Sequence, residues 1–315
     1  MHPAPSVILF TVLSGTGYGM LFLLGYGAAT RLLPPDRVFG TAAFAMAVGL
    51  ISCGLIASLF HLGRPERAWR AMSQWRSSWL SREGLLAVLT YLPTAPFAVA
   101  WAVFGLNAGV HAFFGAVAGL LAAATVFATG KIYATLKPIR QWHNPWVVPG
   151  YLVIALMSGA LWLNALLQWR GLSRPTIALI AAGGALAGLL IKALYWRSID
   201  MARTGPTAAS ATGLRALGKV RLLESPHTQD NYLLREMGYR VARKHAWRLR
   251  RIALSFGFFV PFVLAGLTAA FTGRLAAWTA LIAAFSAGLG VLVERWLFFA
   301  EARHTVTLYY GDERA

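Results

Sequence analysis

Long apolar runs recur along this 315-residue chain, each close to the roughly twenty residues that a helix needs to cross the hydrocarbon core of a bilayer. Eight runs are read, at 6–30, 38–60, 84–105, 109–130, 147–168, 176–198, 251–272 and 275–300. Backbone polar groups in lipid must pair within their own segment, so each run predicts a helix. The fold class expected is all-α, a polytopic membrane protein whose residues 1–315 form one bundle of eight transmembrane helices. Pro34 and Pro35 part the first two runs, and Asn107 and Gly109 mark the turn between the third and fourth. Pro175 opens the sixth, where a first-turn proline removes no helical hydrogen bond. Gly15, Gly17, Gly19, Gly25 and Gly27 in the first run, with Gly183, Gly184 and Gly188 in the sixth, are the small residues that let membrane helices approach closely.

Chemistry is then sought in the polar segments between runs. In the segment 61–83, His61-Leu62-Gly63-Arg64-Pro65 ends one run, and Ser81-Arg82-Glu83 leads into the next. Between them stand arginines 64, 67, 70, 76 and 82 and tryptophans 69, 75 and 79. Gly63 and Pro65 suit the end of a helix, and residues 66–79 predict a short helix along the membrane surface with its indoles at headgroup depth. His61 and Glu83 would then share one membrane face. A titratable pair at that depth suits a quinone, whose chemistry moves electrons and protons together. Helix dipoles also favour a histidine at a C-terminus and a glutamate in a first turn, so the residue types alone fit a structural role as well.

Composition narrows the classes. The chain is 57% hydrophobic and 13% charged, against about 25% charged for a soluble domain. Its single cysteine, Cys53, can form no intrachain disulfide and cannot alone ligate an iron–sulfur cluster. A membrane b-type haem wants two facing histidines, and only His111 falls clearly within a run, so no haem and no metal ligands are expected in this chain. The formal charge of +18 sits in short loops, where topology and anionic lipid explain it better than nucleic acid. Most lysines and arginines fall in 61–83, 131–146, 197–251 and the C-terminal tail, whereas the alternate connections hold Arg31, Arg37, Arg170, Arg174 and Arg274. The positive-inside rule therefore places both termini and His61 in the cytoplasm. The N-terminus has neither the basic region nor the small-residue cleavage site of a removable signal and is read as the first span.

The segment 199–250 is the one sizeable soluble piece. Its beginning, through Gly205 and Pro206, reads as flexible. Regularly spaced apolar residues in 214–223 and 231–239 could dock a partner, and the basic run 243–251 leads into the seventh span as a topology and lipid anchor. Charges inside spans are few. Glu294 and Arg295 either lock the bundle or flank a quinone pocket. Lys131, Tyr133 and His143, in the stretch 131–146, and Arg64 are candidate quinone-binding residues, with anchoring at the membrane interface as the structural alternative.

Taken together, His61-Leu62-Gly63-x-Pro65, the Trp79-Leu80-Ser81-x-Glu83 entry into the third span, Ile132-Tyr133 and Glu294-Arg295 resemble the membrane-anchor subunits of the dimethyl-sulfoxide reductase family. The resemblance covers essentially the whole chain, and 61–83 is its most specific part. It implies a haem-free anchor that exchanges electrons with a membrane quinone, ubiquinone or menaquinone, and holds a ferredoxin-like iron–sulfur subunit. That subunit in turn serves a molybdopterin catalytic subunit. The family's quinone-site histidine and the glutamate after it map onto His61 and Glu83. The positive motif face and the long basic loop look most like the sulfite-oxidising members, whose partner subunits face the cytoplasm of the bacterial inner membrane. An anchor for a dimethyl-sulfoxide or polysulfide-type reductase, oxidising quinol, is the alternative. A transporter is the competing class, but the paired halves and broken mid-membrane helices common in transporters are not apparent.

Overall fold

The computed structural model describes residues 3–201, 205–224, 226 and 245–312. Among them, eight helices are long and apolar enough to cross a membrane. They are α1 (Pro5–Ala29), α2 (Arg37–Leu59), α3 (Trp79–Phe104), α4 (Val110–Ala134), α5 (Val147–Trp169), α6 (Pro175–Met201), α7 (Ala246–Ala270) and α8 (Arg274–Ala300). The protein is an all-α polytopic membrane protein. The stretch 231–239 of the expected docking loop lies outside the described residues.

Two helices form the centre. Buried residues make up 67% of the apolar window of α1 and 72% of that of α5, against 28% for α2. The small residues read in α1 explain why: a methyl group at Gly19 would overlap the Ala155 carbonyl, and one at Gly159 would overlap the Gly19–Met20 peptide. The backbones of α1 and α5 therefore touch. Gly25 meets the Gly115 carbonyl of α4 in the same way, and Gly290 of α8 meets Gly257 of α7. Gly184 and Gly188 pack on Met157 and Phe258, whereas Gly183 faces open space and serves no close approach.

Helix ends follow local chemistry, with two departures from the apolar pattern. Helix α3 begins at Trp79, five residues before the expected 84, because Ser78 caps it by accepting the Ser81 N–H. Arg82 then donates to the carbonyls of Trp75 (2.9 Å) and Arg76 (2.7 Å), and its guanidinium lies 4.3 Å from the Trp79 ring centroid. The Ser81 hydroxyl donates to the Ala71 carbonyl. These bonds tie the preceding surface segment, a 3-10 helix over Pro65–Gln74 with no buried residue, to the first turn of α3. Helix α7 also starts five residues early, and it carries a π turn over Ser255–Phe259 just before Pro261. There the Phe256 carbonyl accepts the Ser286 hydroxyl of α8 at 2.8 Å.

One end of the bundle is knitted by its connections. Trp142 donates to the Phe298 carbonyl at 2.8 Å, Asn144 to Ser198 at 2.7 Å, and Thr305 to the Pro138 carbonyl at 3.2 Å. The 135–146 connection and the segment after α8 thus close over the ends of α4, α5, α6 and α8 at the face that also carries His61.

Overpacking a well-filled contact costs about 1–3 kcal/mol. Gly19→Ala should therefore lower the melting temperature and yield of the detergent-purified protein. Gly183→Ala, at an open position in a helix, should leave both unchanged or slightly raised. Equal behaviour of the two variants would contradict the α1–α5 contact.

Candidate functional site

Glu83 belongs to the buried stripe of α3 formed by Glu83, Ala87, Thr90, Thr94, Phe97 and Trp101, spaced three and four residues apart as one helix face requires. Because α3 starts at Trp79, Glu83 is in its second turn and points into the bundle, 5% exposed. The carboxyl therefore lies inside the bundle, whereas the apolar runs alone put it in a first turn at the membrane face. Its Oε1 accepts a hydrogen bond from the Thr129 hydroxyl of α4. Tyr18, Tyr133 and Tyr151 are its electrostatic neighbours.

His61 stands elsewhere in depth. It follows the end of α2 and is exposed, as is Arg64. Around them Phe60, Trp69 and Trp75 present exposed aromatic surface, with Phe60 82% exposed. Arg70 and Arg76 lie over the rings of Trp69 and Trp75. This is the composition of an interfacial segment, amphipathic and aromatic. His61 is thus exposed on this segment, whereas Glu83 is buried in the bundle.

Lys131 and His143 come together at the rim. They line a groove of about 390 Å³ between the end of α4 and the start of α5, with Phe127, Asn144 and Val148. The Lys131 ammonium lies 5.5 Å from the Trp79 ring centroid. His143 Nδ1 is 2.7 Å from the Ala134 carbonyl, which accepts its proton and leaves Nε2 for another partner. Tyr133, two residues along from Lys131, turns inward instead. Its ring stacks on Tyr151 with centroids 5.8 Å apart and meets Trp142, Phe298 and Phe299 edge-on.

Glu294 and Arg295 are fully inside. Glu294 pairs with Lys192 of α6 at 2.6 Å and with its neighbour Arg295 at 3.2 Å. The Lys192 ammonium also sits 3.8 Å from the Tyr195 ring centroid, and the Arg295 guanidinium sits 3.9 Å from that of Tyr151. Two cations share one carboxylate, and aromatic faces supply the remaining stabilisation, as cation–π contacts do when desolvated. Toward the His61 face, Trp196 donates to Glu301 at 3.1 Å, and Arg250 joins Glu301 (2.8 Å) to Asp200 (2.6 Å). Burial pushes the Glu301 carboxyl above its ordinary range, against the pull of Arg250.

Two spaces lie between these groups. A polar cavity of about 20 Å³ is enclosed by α1, α4, α5 and α8, its lining including Ser14, Tyr18, Thr129, Tyr151, Ser158 and Arg295. An almost wholly apolar fissure of about 150 Å³ runs beside it between α1, α4 and α5, along Phe22, Ala123, Leu152 and Leu156, and shares Tyr18, Val126 and Ala155 with it. Thr129, Tyr18 and Tyr151 escape a reading of the sequence because single hydroxyls in apolar runs carry no motif. Lys192 is visible as a lone in-span cation, but its partner is not.

These features, eight spans with a histidine–arginine–tryptophan segment leading to a buried glutamate, define a polytopic membrane protein with its polar chemistry gathered toward one face. The family model described as DMSO reductase anchor subunit (DmsC) matches residues 1–311, and the chain belongs to that family. A sulfite dehydrogenase subunit of Allochromatium vinosum is 32% identical to it over 98% of this chain and 99% of that protein. Anaerobic dimethyl sulfoxide reductase chain YnfH of Escherichia coli is 26% identical over 62% of this chain and 71% of its own length.

Removing one partner of a buried ion pair leaves an uncompensated charge and costs about 3–5 kcal/mol, whereas removing both can be nearly neutral. Glu294→Gln, which leaves Lys192 and Arg295 without a counter-ion, should markedly lower the thermal stability of the purified subunit. The double variant Lys192→Met/Glu294→Gln should recover part of the loss. Additive losses in the double variant would argue against the pairing.

Proposed function

We propose that this subunit passes electrons between an iron–sulfur partner and membrane quinone during oxidation of sulfite to sulfate at a molybdenum centre in a further subunit. The observation that carries the reading is the division of labour between an exposed imidazole at the lipid interface and a buried, hydroxyl-bonded carboxyl on the next helix. The full-length similarity to a sulfite dehydrogenase subunit supports the substrate. The quinone is the substrate of this chain, and each reduction needs two electrons and two protons. Its ring would lie near His61, whose imidazole donates a hydrogen bond and a proton to one carbonyl. Arg64, Lys131 and His143, all at the same interface, would orient the ring or its polar substituents. Glu83 holds the second proton inside the protein, and the Thr129 hydroxyl fixes its orientation. Tyr133, an electrostatic neighbour of both Glu83 and Arg295, would shape the inner wall with Tyr151. Molybdopterin and iron–sulfur clusters belong to the partner subunits in this scheme.

The positive face that holds His61 is assigned to the cytoplasm, together with both termini and the partner subunits. Alkaline phosphatase fused after Ala315 should be inactive, while a fluorescent protein at the same place should glow. An active phosphatase would favour the second reading, an outward-facing reductase anchor oxidising quinol, which the similarity to YnfH keeps in view.

His61→Ala should leave assembly and the iron–sulfur signal intact, because the residue is exposed beyond the end of its helix. Sulfite oxidation with a water-soluble artificial acceptor should also persist. Quinone-coupled turnover should fall by roughly a hundredfold, the scale of losing a positioned general acid or base. Glu83→Gln should lower it too. Wild-type quinone reduction by an assembled His61→Ala complex would remove His61 from the site.

A further inference from the structure

The polar cavity between α1, α4, α5 and α8 has no place in the scheme above, and its dimensions say what it can hold. A volume of about 20 Å³ exceeds the 10–15 Å³ needed for a water molecule and is far too small for a quinone ring. Its walls are polar in a particular way. The hydroxyls of Ser14, Thr11 and Thr16 are spent on carbonyls of their own helix. The hydroxyl of Tyr18 is buried and has no hydrogen-bond partner among the described residues, and that of Tyr151 is buried beside the Arg295 guanidinium. Both residues line the cavity, at 2% and 5% exposure. Buried hydroxyls are almost always satisfied, and the unpaired Tyr18 hydroxyl, on the same cavity as Tyr151 and Arg295, marks a site for a small polar guest.

That site is connected. Thr129 lines the cavity and bonds Glu83. Tyr18 and Tyr151 are electrostatic neighbours of Glu83, and Tyr151 is also a neighbour of Arg295, which lines the opposite wall.

We propose that this cavity holds water and that Tyr18, Tyr151 and Thr129 with that water form a proton relay that reloads Glu83. The proposal rests on the reading of Glu83 as a proton donor to quinone. When Glu83 gives its proton, the carboxylate takes another through the Thr129 hydroxyl, which is itself replenished from the cavity water. The proton deficit, a hydroxide at the cavity water or a phenolate of Tyr18 or Tyr151, is stabilised by the fixed positive charge of Arg295 and is filled by one proton taken up from the aqueous phase. The same charge opposes an extra proton there, so the relay runs by filling a deficit. Over one turnover two protons leave the aqueous phase, two electrons arrive from the iron–sulfur partner, and both protons and electrons end on the quinone. Tyr18, Tyr151 and Thr129 are positioning residues in this scheme and touch no quinone.

The test uses the assembled complex. If the two phenols were merely structural, Tyr18→Phe would be neutral or stabilising, because it removes an unpaired buried hydroxyl, and Tyr151→Phe would change stability without changing quinone turnover. As relay members, the double variant should assemble and keep full activity with the artificial acceptor. It should lose quinone-coupled kcat by roughly tenfold, less than loss of the acid itself. KM for quinone should stay unchanged, and the solvent deuterium isotope effect on kcat should rise. Wild-type kcat and isotope effect in the assembled double variant would overturn the relay, and so would a change in KM alone, which would make the cavity part of the quinone pocket. Infrared difference spectra of the unmutated complex guard against variants that do not assemble. On quinone reduction they should show an internal-water O–H band changing together with the Glu83 carboxyl band, assigned by its loss in Glu83→Gln, and absence of the water band overturns the proposal. If Glu83→Gln itself reduces quinone normally, the reading of Glu83 fails and the relay with it. If Glu83→Gln is impaired and the tyrosine variant is not, only the relay fails.

Discussion

The backbone contact between α1 and α5 sets the geometry on which everything else in this bundle depends. Without side chains at Gly19 and Gly159 the two helices touch, and in lipid such close approach is the main source of helix association, since apolar surface gains little from leaving a hydrocarbon solvent. Tyr18 and Ala155 flank that contact, and Tyr151 lies one turn toward the His61 face. The polar cavity is the consequence: where the small residues give way to Ser14, Tyr18, Tyr151 and Ser158, the same two helices leave room for a water-sized guest. Helices α4 and α8 complete the enclosure with Thr129 and Arg295.

A charge gradient then runs through one half of the bundle. At the interface are His61, Arg64 and Lys131, exposed or half-buried and solvated. One layer in is Glu83, with a single hydroxyl donor. Deeper still, Lys192, Glu294 and Arg295 hold an excess of one positive charge among the rings of Tyr151, Tyr195 and Phe298. Ionisable groups within a membrane span are costly, and a buried triad is weak evidence for stability as such. Its arrangement does give the cavity a fixed polarity. The network Trp196–Glu301–Arg250–Asp200 carries polar contacts from that depth to the surface, where the Asp200 side chain is 58% exposed.

Much of this was legible in the chain. Apolar runs and the bilayer's thickness were enough for eight helices, and Pro34, Pro35, Asn107 and Pro175 stand where chain direction changes. Helix starts were missed where capping and amphipathic turns extend a helix beyond its apolar stretch, as Ser78 does for α3 and as Arg248, Arg250 and Arg251 do for α7. The α3 case matters most. Five residues of shift, more than a full turn, move Glu83 from a first-turn surface position to the buried stripe it shares with Ala87 and Thr90. Lys131, Tyr133 and His143 looked like one cluster in sequence, yet the helical turn sends Tyr133 inward and leaves the other two at the rim. Tyr18, Thr129 and Tyr151 could not be foreseen, because what distinguishes them is a shared cavity, and that depends on which helices neighbour one another.

The central claim is that quinone meets this protein at the His61 face, beside α3 and α4, with Glu83 behind it. Photoaffinity labelling of the assembled complex with an azido-quinone, followed by peptide mapping, addresses it most directly. The account predicts label within 60–83 and 127–146, competed away by unmodified quinone. Label concentrated instead on the opposite face, in the groove of about 550 Å³ lined by Trp169, Arg274 and Trp278, would contradict it.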